Sequence, residues 1–469
     1  MSSTKQHFLD LFFYPESVAV VGASRNVKTL SFNLVANLIN LKFHGKIYPV
    51  NPNAEEILGL KAYPDLKSIE GDIDLVVVAV PASKTLDIIR DCVAKRVKGV
   101  AIVTGGFSEI GEKGKRAQDE IFSLLRENKI RVIGPNALSP INTSNNLVIS
   151  FHAIEKLPKG GLSFIFQSGL YEPRLNWLLS DFNLYLNKLI DLGNKMDINE
   201  LDALEYLAQD RETKVIAIHL ESITADARAF MRLLKHTSKE KPVIVLKAGR
   251  TAAGAKAAAS HSGAIIKSSD AIFDVALKQS GAIQAQSLDE FFDLAKVFEY
   301  LPPLKKNRIV VSTLAGGEGV IATDLCQFNG FTMAELSSRT YNRLRSVFPP
   351  WDIPVNPFDM GICLQFHNLI DVYRVLLDAL VDDPNVDCMV MNLTTARLAD
   401  PTKLVKLTSE VIKKGKHLVT WVIDMSRERT EIIQQVESNR IPVYPSAERA
   451  IKALSALYRY HNTRQELIK

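Results

Sequence analysis

Short runs of apolar, often β-branched residues recur along the chain, separated by stretches in which apolar positions return at helical spacing. The runs Ser17–Val21, Asp74–Val80, Gly99–Val103 and Arg131–Ile133 come first. Leu162–Phe166, Val215–His219 and Pro242–Leu246 follow, and then Arg308–Ser312, Cys388–Met391 and His417–Trp421. The runs are nearly apolar throughout rather than alternating. They therefore predict strands buried on both faces, in parallel sheets covered by helices. Polar breaks containing Gly or Pro, at 155–161 and 300–307, each precede a strand. The pattern predicts an α/β chain of three successive doubly wound units, 1–150, 155–302 and 306–469. In open sheets of this kind ligands sit beyond the carboxyl ends of the strands, so the strand-end turns are where chemistry is to be sought.

Composition narrows the class without naming it. The 469 residues suffice for several domains, and 46% apolar with 23% charged residues is an ordinary core-forming balance. The net charge of +5 comes from Lys and Arg scattered among acids, which gives no footprint for nucleic acid. Cys92, Cys326, Cys363 and Cys388 form no CxxC pair and have no metal-ligand spacing, so buried reduced thiols and no metal site are expected. The N-terminus lacks the apolar core of a signal peptide. No apolar run approaches the ~18 residues that span a bilayer. A cytoplasmic protein with no membrane partner is expected.

Turns suited to a ligand rim follow the strands of the first unit. Val21-Gly22-Ala23-Ser24-Arg25 leads into a helical segment, where a Gly lets the backbone approach a phosphate and a helix start offers free N–H groups. Ser24 and Val27 stand where the later glycines of GxGxxG would be, which disfavours an NAD(P) domain. Tyr48-Pro-Val-Asn51-Pro52, Val80-Pro81, Thr104-Gly105-Gly106-Phe107-Ser108-Glu109 and Gly134-Pro135-Asn136 end the next strands. In this order the turns resemble the CoA-binding domain of NDP-forming acyl-CoA synthetases, relatives of the succinyl-CoA synthetase α subunit. The resemblance implies Gly22, Ser24 and Arg25 near the CoA phosphates. It places Asn51, Pro52, Val80, Pro81, Thr104 and Gly105 along the adenosine and pantetheine, and Asn136 towards the thiol. Asn53 replaces a Lys common in the family, and Ala137 and Ser139 replace a Cys and a Gly.

The second unit carries Lys247-Ala-Gly-Arg-Thr251, an Ala-rich run, and Ser260-His261-Ser262-Gly263. A lone histidine does not make a site. Flanking Ser and Gly nevertheless suit a loop or a helix cap, where backbone N–H groups hold an anion. The segment is similar to the family's phosphohistidine motif, Ser-His-Thr-Gly. On that likeness His261 carries phosphate, and Glu221, in His219-Leu-Glu-Ser-Ile223, accepts a hydrogen bond from the other imidazole nitrogen. Gln167-Ser168-Gly169 resembles the family's Ser-Gln-Ser-Gly. Helix starts at Ser168-Gly169 and Ser262-Gly263 would hold the phosphate with no metal on this chain. Leu192-Gly-Asn-Lys-Met-Asp197 also fits the family. Leu170-Tyr171-Glu172-Pro173-Arg174 departs from its small residues, which implies a reshaped acyl pocket.

In the third unit, Ala315-Gly-Gly-Glu-Gly319, Asn356-Pro-Phe-Asp359 and Ile441-Pro-Val-Tyr-Pro445 are similar to the family's second ligase domain. The resemblance implies a Rossmann-like CoA-binding domain followed by two flavodoxin-like ligase domains, with the third mainly structural. The implied activity is a reversible phosphoryl relay from acyl-CoA and phosphate, through His261, to ADP or GDP. The implied ligands are CoA, phosphate, and an acyl-CoA or carboxylic acid. ADP/ATP or GDP/GTP with Mg2+ would sit on a partner, since no Walker motif occurs before Lys469. That partner would be an ATP-grasp β subunit in an αβ or α2β2 assembly. The rival expectation is a non-catalytic CoA- or acyl-CoA-binding scaffold of the same superfamily.

Overall fold

The computed structural model describes residues 7–262, 270–351, 355–394, 401–422 and 427–469. Among these, the strands form sheets of five, seven and six strands and a two-stranded ribbon. They fall into two compact units, Met1–Gln286 and Ser287–Lys469.

The first sheet uses β1 (Ser17–Val21) and β2 (Lys46–Val50); the ribbon of β3 (Glu56–Ile57) and β4 (Leu60–Lys61) follows. β5 (Leu75–Val78), β6 (Gly99–Ile102) and β7 (Arg131–Ile133) complete a parallel sheet in the order β2-β1-β5-β6-β7. Side chains alternate between two cores: Val18, Val20, Leu75 and Val77 enter one, Ala19, Val21, Val76 and Val78 the other. With both faces buried, the inner positions of β1, β5 and β6 demand apolar side chains, which is why these runs read as nearly continuously apolar.

A hairpin of β8 (Ile141–Asn142) and β9 (Leu147–Val148) then leaves the first sheet and pairs antiparallel with the second. That second sheet contains β10 (Lys159–Phe166), β11 (Leu186–Asp191), β12 (Val215–Leu220), β13 (Val243–Lys247) and β14 (Ile283–Gln284). Its order is β14-β13-β12-β10-β11-β8-β9. One continuous core joins the two sheets, with Val18 and Leu75 in the same cluster as Ile165, Ile190 and Ile216.

In the second compact unit, β15 (Arg308–Thr313), β16 (Thr332–Met333), β17 (Phe358–Asp359), β18 (Cys388–Leu393), β19 (His417–Val422) and β20 (Val443–Tyr444) surround a separate core. The order is β16-β15-β18-β19-β20, with β17 beside β15. The unit begins at Ser287, ahead of the sequence break at 300–307, because the helix Leu288–Tyr300 packs on the helix Ala447–Ile468. Arg449 there donates to both oxygens of Asp293, at 2.6 and 2.7 Å. All four cysteines are buried.

In each sheet the first strand of the parallel set has later strands on both sides: β1 lies between β2 and β5, β10 between β11 and β12, β15 between β16 and β18. Such a reversal of winding opens a crevice at the carboxyl ends of the two central strands. The crevices of the first two sheets hold most of the residues singled out above.

Candidate active site

At the first crevice Gly22 has φ +90, and a Cβ built there would lie 2.5 Å from the carbonyl oxygen of Ala79. Only glycine fits this close passage of β1's end against the end of β5. The rim turns are tied to one another. Asn51 Nδ2 donates to the Ala23 carbonyl at 2.7 Å, and Thr104 Oγ1 to the Val80 carbonyl at 2.8 Å. The Asn136 N–H donates to the Thr104 carbonyl at 3.0 Å, and Asn136 itself is left-handed at φ +60. Ser24 Oγ accepts from the Asn26 N–H at 3.0 Å, and Arg25 is exposed. Pro81 precedes the helix Ala82–Lys95, and Pro52 follows Asn51 in its turn. Gly105 leaves room for Glu109, whose Oε1 accepts from the Gly106 N–H at 2.5 Å and the Phe107 N–H at 3.2 Å. Burial opposes the charge on Glu109, but these bonds and one from Asn194 hold its carboxyl below the usual range. The result is a continuous polar rim over five strand ends, with a glycine-only passage at its centre that suits a phosphate-bearing ligand such as CoA.

At the second crevice Gln167 straps the ends of β10 and β12 together. Its Oε1 accepts from the N–H groups of Glu221 and Ser222, each at 2.9 Å, and its Nε2 donates to Ser222 Oγ at 2.9 Å. Glu221 is buried, 6% exposed, rather than on the surface as a strand-end acid would ordinarily be. Ser168 stands immediately before a 3-10 turn, Gly169–Arg174, which runs into the helix Leu175–Ser180. Tyr171 and Glu172 turn inward. Tyr171 stacks on Phe166 with ring centroids 4.4 Å apart, and its hydroxyl donates to the Leu138 carbonyl. Glu172 Oε2 accepts from Ser150 Oγ at 2.9 Å and lies 3.2 Å from His152 Nδ1. Burial raises the Glu172 carboxyl, and it pushes neighbouring Asp191 up to about 7, with Glu172 and Glu221 adding to the effect. Tyr171 and Glu172 thus build the interior beside the crevice, while Pro173 and Arg174 stay exposed.

His261 lies in the helix Ala252–Ser262. Ser262, where the sequence pointed to a helix start with Gly263, already lies within this helix, which begins at Ala252. Alanine, the best helix former, carries the helix through the run that lacks an apolar stripe. The N-terminus of that helix is at Thr251, whose Oγ1 accepts from the Gly254 N–H at 3.0 Å. Arg250 anchors the turn before it on Asp274 at 2.7 Å. The helix lies against the Ser108–Ile110 turn of the CoA-type rim. The side chains of His261 and Ser262, and Gly263 as a whole, lie outside the described residues.

Residues of the Leu192–Asp197 segment, which the sequence likeness singled out without giving it a role, join the two crevices together with Glu200. Gly193 has no room for a side chain, since a Cβ would lie 2.2 Å from the Pro135 carbonyl oxygen. The Asn194 N–H donates to that same carbonyl at 2.9 Å, and its side chain donates to Glu109 Oε2 at 2.6 Å. Lys195 and Glu200 form a buried ion pair at 2.8 Å. Polar residues in a Gly-Asn-Lys turn look solvated in sequence. The spacing of Lys195 and Glu200 carries no signal of their burial.

Three family models match the chain: a CoA binding domain over residues 16–141, a succinyl-CoA ligase like flavodoxin domain over 159–298, and a Ligase-CoA domain over 309–468. Together with the doubly wound sheets they make this a CoA-ligase-type α/β protein. It is 36% identical over 455 residues to the acetate–CoA ligase (ADP-forming) II subunit alpha of Pyrococcus furiosus, covering 96% of this chain and 97% of that one. It is 34% identical over 455 residues to acetate–CoA ligase (ADP-forming) II of Archaeoglobus fulgidus, covering 96% of this chain and 67% of that protein. The acetyl-coenzyme A synthetase 1 of Ca. Korarchaeum cryptofilum, solved with phosphate and ADP, superposes with TM-score 0.85 at 32% identity, covering 98% of each chain. The chain belongs to the family of ADP-forming acyl-CoA synthetase α subunits, and it is a catalytic subunit of a ligase. Among the described residues, no helix is long and apolar enough to cross a membrane.

Proposed function

We propose that the chain binds CoA along its first crevice and carries phosphate on His261. In this reading acyl-CoA and phosphate give acyl phosphate and CoA. The His261 imidazole then attacks phosphorus, the carboxylic acid leaves, and the phosphoryl group passes to ADP. The covalent intermediate divides one difficult transfer into easier ones. Glu221 accepts a hydrogen bond from the proton-bearing nitrogen of the ring and fixes the tautomer, leaving the other nitrogen to attack. The turn at Ser168-Gly169 offers backbone N–H groups to the phosphate. The observation that carries this reading is Glu221: a buried carboxylate strapped by Gln167 at a topological switch point, in a chain of the α-subunit family. Ser262 and Gly263 remain proposed phosphate contacts through hydroxyl and backbone.

The nucleotide, with Mg2+, is proposed to bind a separate ATP-grasp β subunit in an αβ or α2β2 assembly. The Pyrococcus relative is named a subunit alpha and is matched over 97% of its length, which supports a separate partner. The relay requires the His261 segment to travel between the CoA side and the partner's nucleotide. The inward Tyr171 and Glu172 are proposed to reshape the acyl pocket, so the acid accepted need not be acetate.

The test is labelling of the chain by ATP in the presence of its partner subunit. An acid-labile, base-stable label is expected on the unaltered chain and none on His261→Ala. Label that persists in His261→Ala refutes the assignment of the nucleophile. An unaltered chain that binds CoA but never labels is the non-catalytic scaffold instead.

A further inference from the structure

Groups that the relay does not use hold the segment presenting Glu221. Lys195 sits in a left-handed turn at φ +54, and its side chain is 1% exposed. Its Nζ donates to Glu200 Oε2 at 2.8 Å and to the Ser222 carbonyl at 2.7 Å. Glu200 Oε1 accepts from the N–H groups of Thr224 at 2.6 Å and Ala225 at 2.9 Å. A buried ion pair is tolerated only when its remaining protons and lone pairs are satisfied, and it is often no more stabilising than an apolar pair of equal volume. Here the remaining bonds all end on one stretch of backbone, 222–225, directly after Glu221. Gln167 grips 221–222 from the other side.

The Lys195 ammonium also attracts the Glu221 carboxylate itself. Burial draws the Lys195 ammonium down, and it opposes the charge on Glu200 too, but Lys195 and the Ala225 N–H hold the Glu200 carboxyl below the usual range. The turn that carries Lys195 is in turn referenced to the CoA-type rim. Gly193 presses on Pro135, and Asn194 reaches Glu109. One rigid bracket therefore runs from the rim of the first crevice to the carboxylate of the second.

We infer that Lys195, paired with Glu200, is a positioning residue that fixes Glu221 in register with the CoA-type rim and so sets the geometry in which Glu221 orients the His261 ring. The inference rests on the phosphohistidine reading above.

The experiment measures single-turnover phosphorylation of the full chain by ATP with its partner subunit. Lys195→Met alone strands a buried Glu200 charge. It is therefore paired with Lys195→Met/Glu200→Gln, which removes both charges and keeps an acceptor for Thr224 and Ala225. The neutral pair is expected to keep its circular dichroism and CoA affinity but to phosphorylate about 100-fold more slowly, the scale of loss from a misplaced catalytic group. In a Glu221→Gln background the same two changes are expected to add at most about twofold, because Lys195 acts through Glu221.

A neutral pair that labels at the unaltered rate overturns the inference. So does a loss that multiplies fully with that of Glu221→Gln. A neutral pair that does not fold makes Lys195–Glu200 a core ion pair and likewise overturns it. By contrast, absence of label on the unaltered chain, or label surviving His261→Ala, sinks the underlying reading.

Discussion

At the scale of single residues, the groups that shape the crevices are buried polar side chains, and burial leaves a signature in pH. His219, 3% exposed and two positions before Glu221 on β12, is driven down to about 4 by burial, with the Lys195 charge adding to the effect. The ordinary value for histidine is near 6.5. The unfolded chain therefore takes up the proton first, and stability falls as pH drops from about 6.5 towards about 4. Glu200, Glu221 and Asp191 lie in the same neighbourhood. The carboxyl of Asp191, raised to about 7, favours the folded state at low pH and opposes the trend. Relative to His219→Gln, the unaltered chain should lose urea midpoint as pH falls across this window. Equal slopes would mean that the ring is not held neutral. Nothing in the sequence marked this histidine, since Ile-His-Leu-Glu at a strand end looks like any apolar run with a polar finish.

Elements were legible where one physical signal dominated. β1, β5 and β6 could be read because burial on both faces demands apolar residues at every position. The helix Ala252–Ser262 gave no periodic signal because alanine has the propensity without the stripe, so periodicity was silent where propensity was decisive. The β8–β9 hairpin was invisible for the opposite reason: two residues per strand give no period to detect. The rim turns were legible as a series, through Gly, Pro, Asn and Thr at consecutive strand ends, yet their mutual hydrogen bonds were not. The start of the helix that carries His261 can be checked directly. Thr251→Ala removes the bond to the Gly254 N–H and is expected to cost about 1 kcal/mol of local stability. Faster amide exchange in residues 252–256, with the rest of the second sheet unchanged, is the expected measurement; an unchanged rate would show that the cap contributes nothing.

For the whole molecule, two compact units with separate cores predict two calorimetric transitions. The second unit contains a fully buried pair, Lys296 to Glu437 at 2.6 Å, with the lysine's pKa drawn down by burial. Lys296→Met leaves the Glu437 charge in the core and should lower that unit's stability by ~3–5 kcal/mol. Lys296→Met/Glu437→Gln should recover much of it, and CoA affinity should not change in either. A single transition moved as a whole by Lys296→Met would contradict the division into units. The first unit has a different internal economy. Its five-stranded sheet ends at Ile133, the next residues fold over Gly193 and Asn194, and the hairpin at 141–148 closes the edge of the neighbouring sheet. The CoA-type half is therefore stitched into its neighbour by its own tail. An exchange that swapped this half for another at residue 150 would import a foreign border strand and a foreign seat for Lys195, so viable chimaeras must carry both partners of the seam or neither.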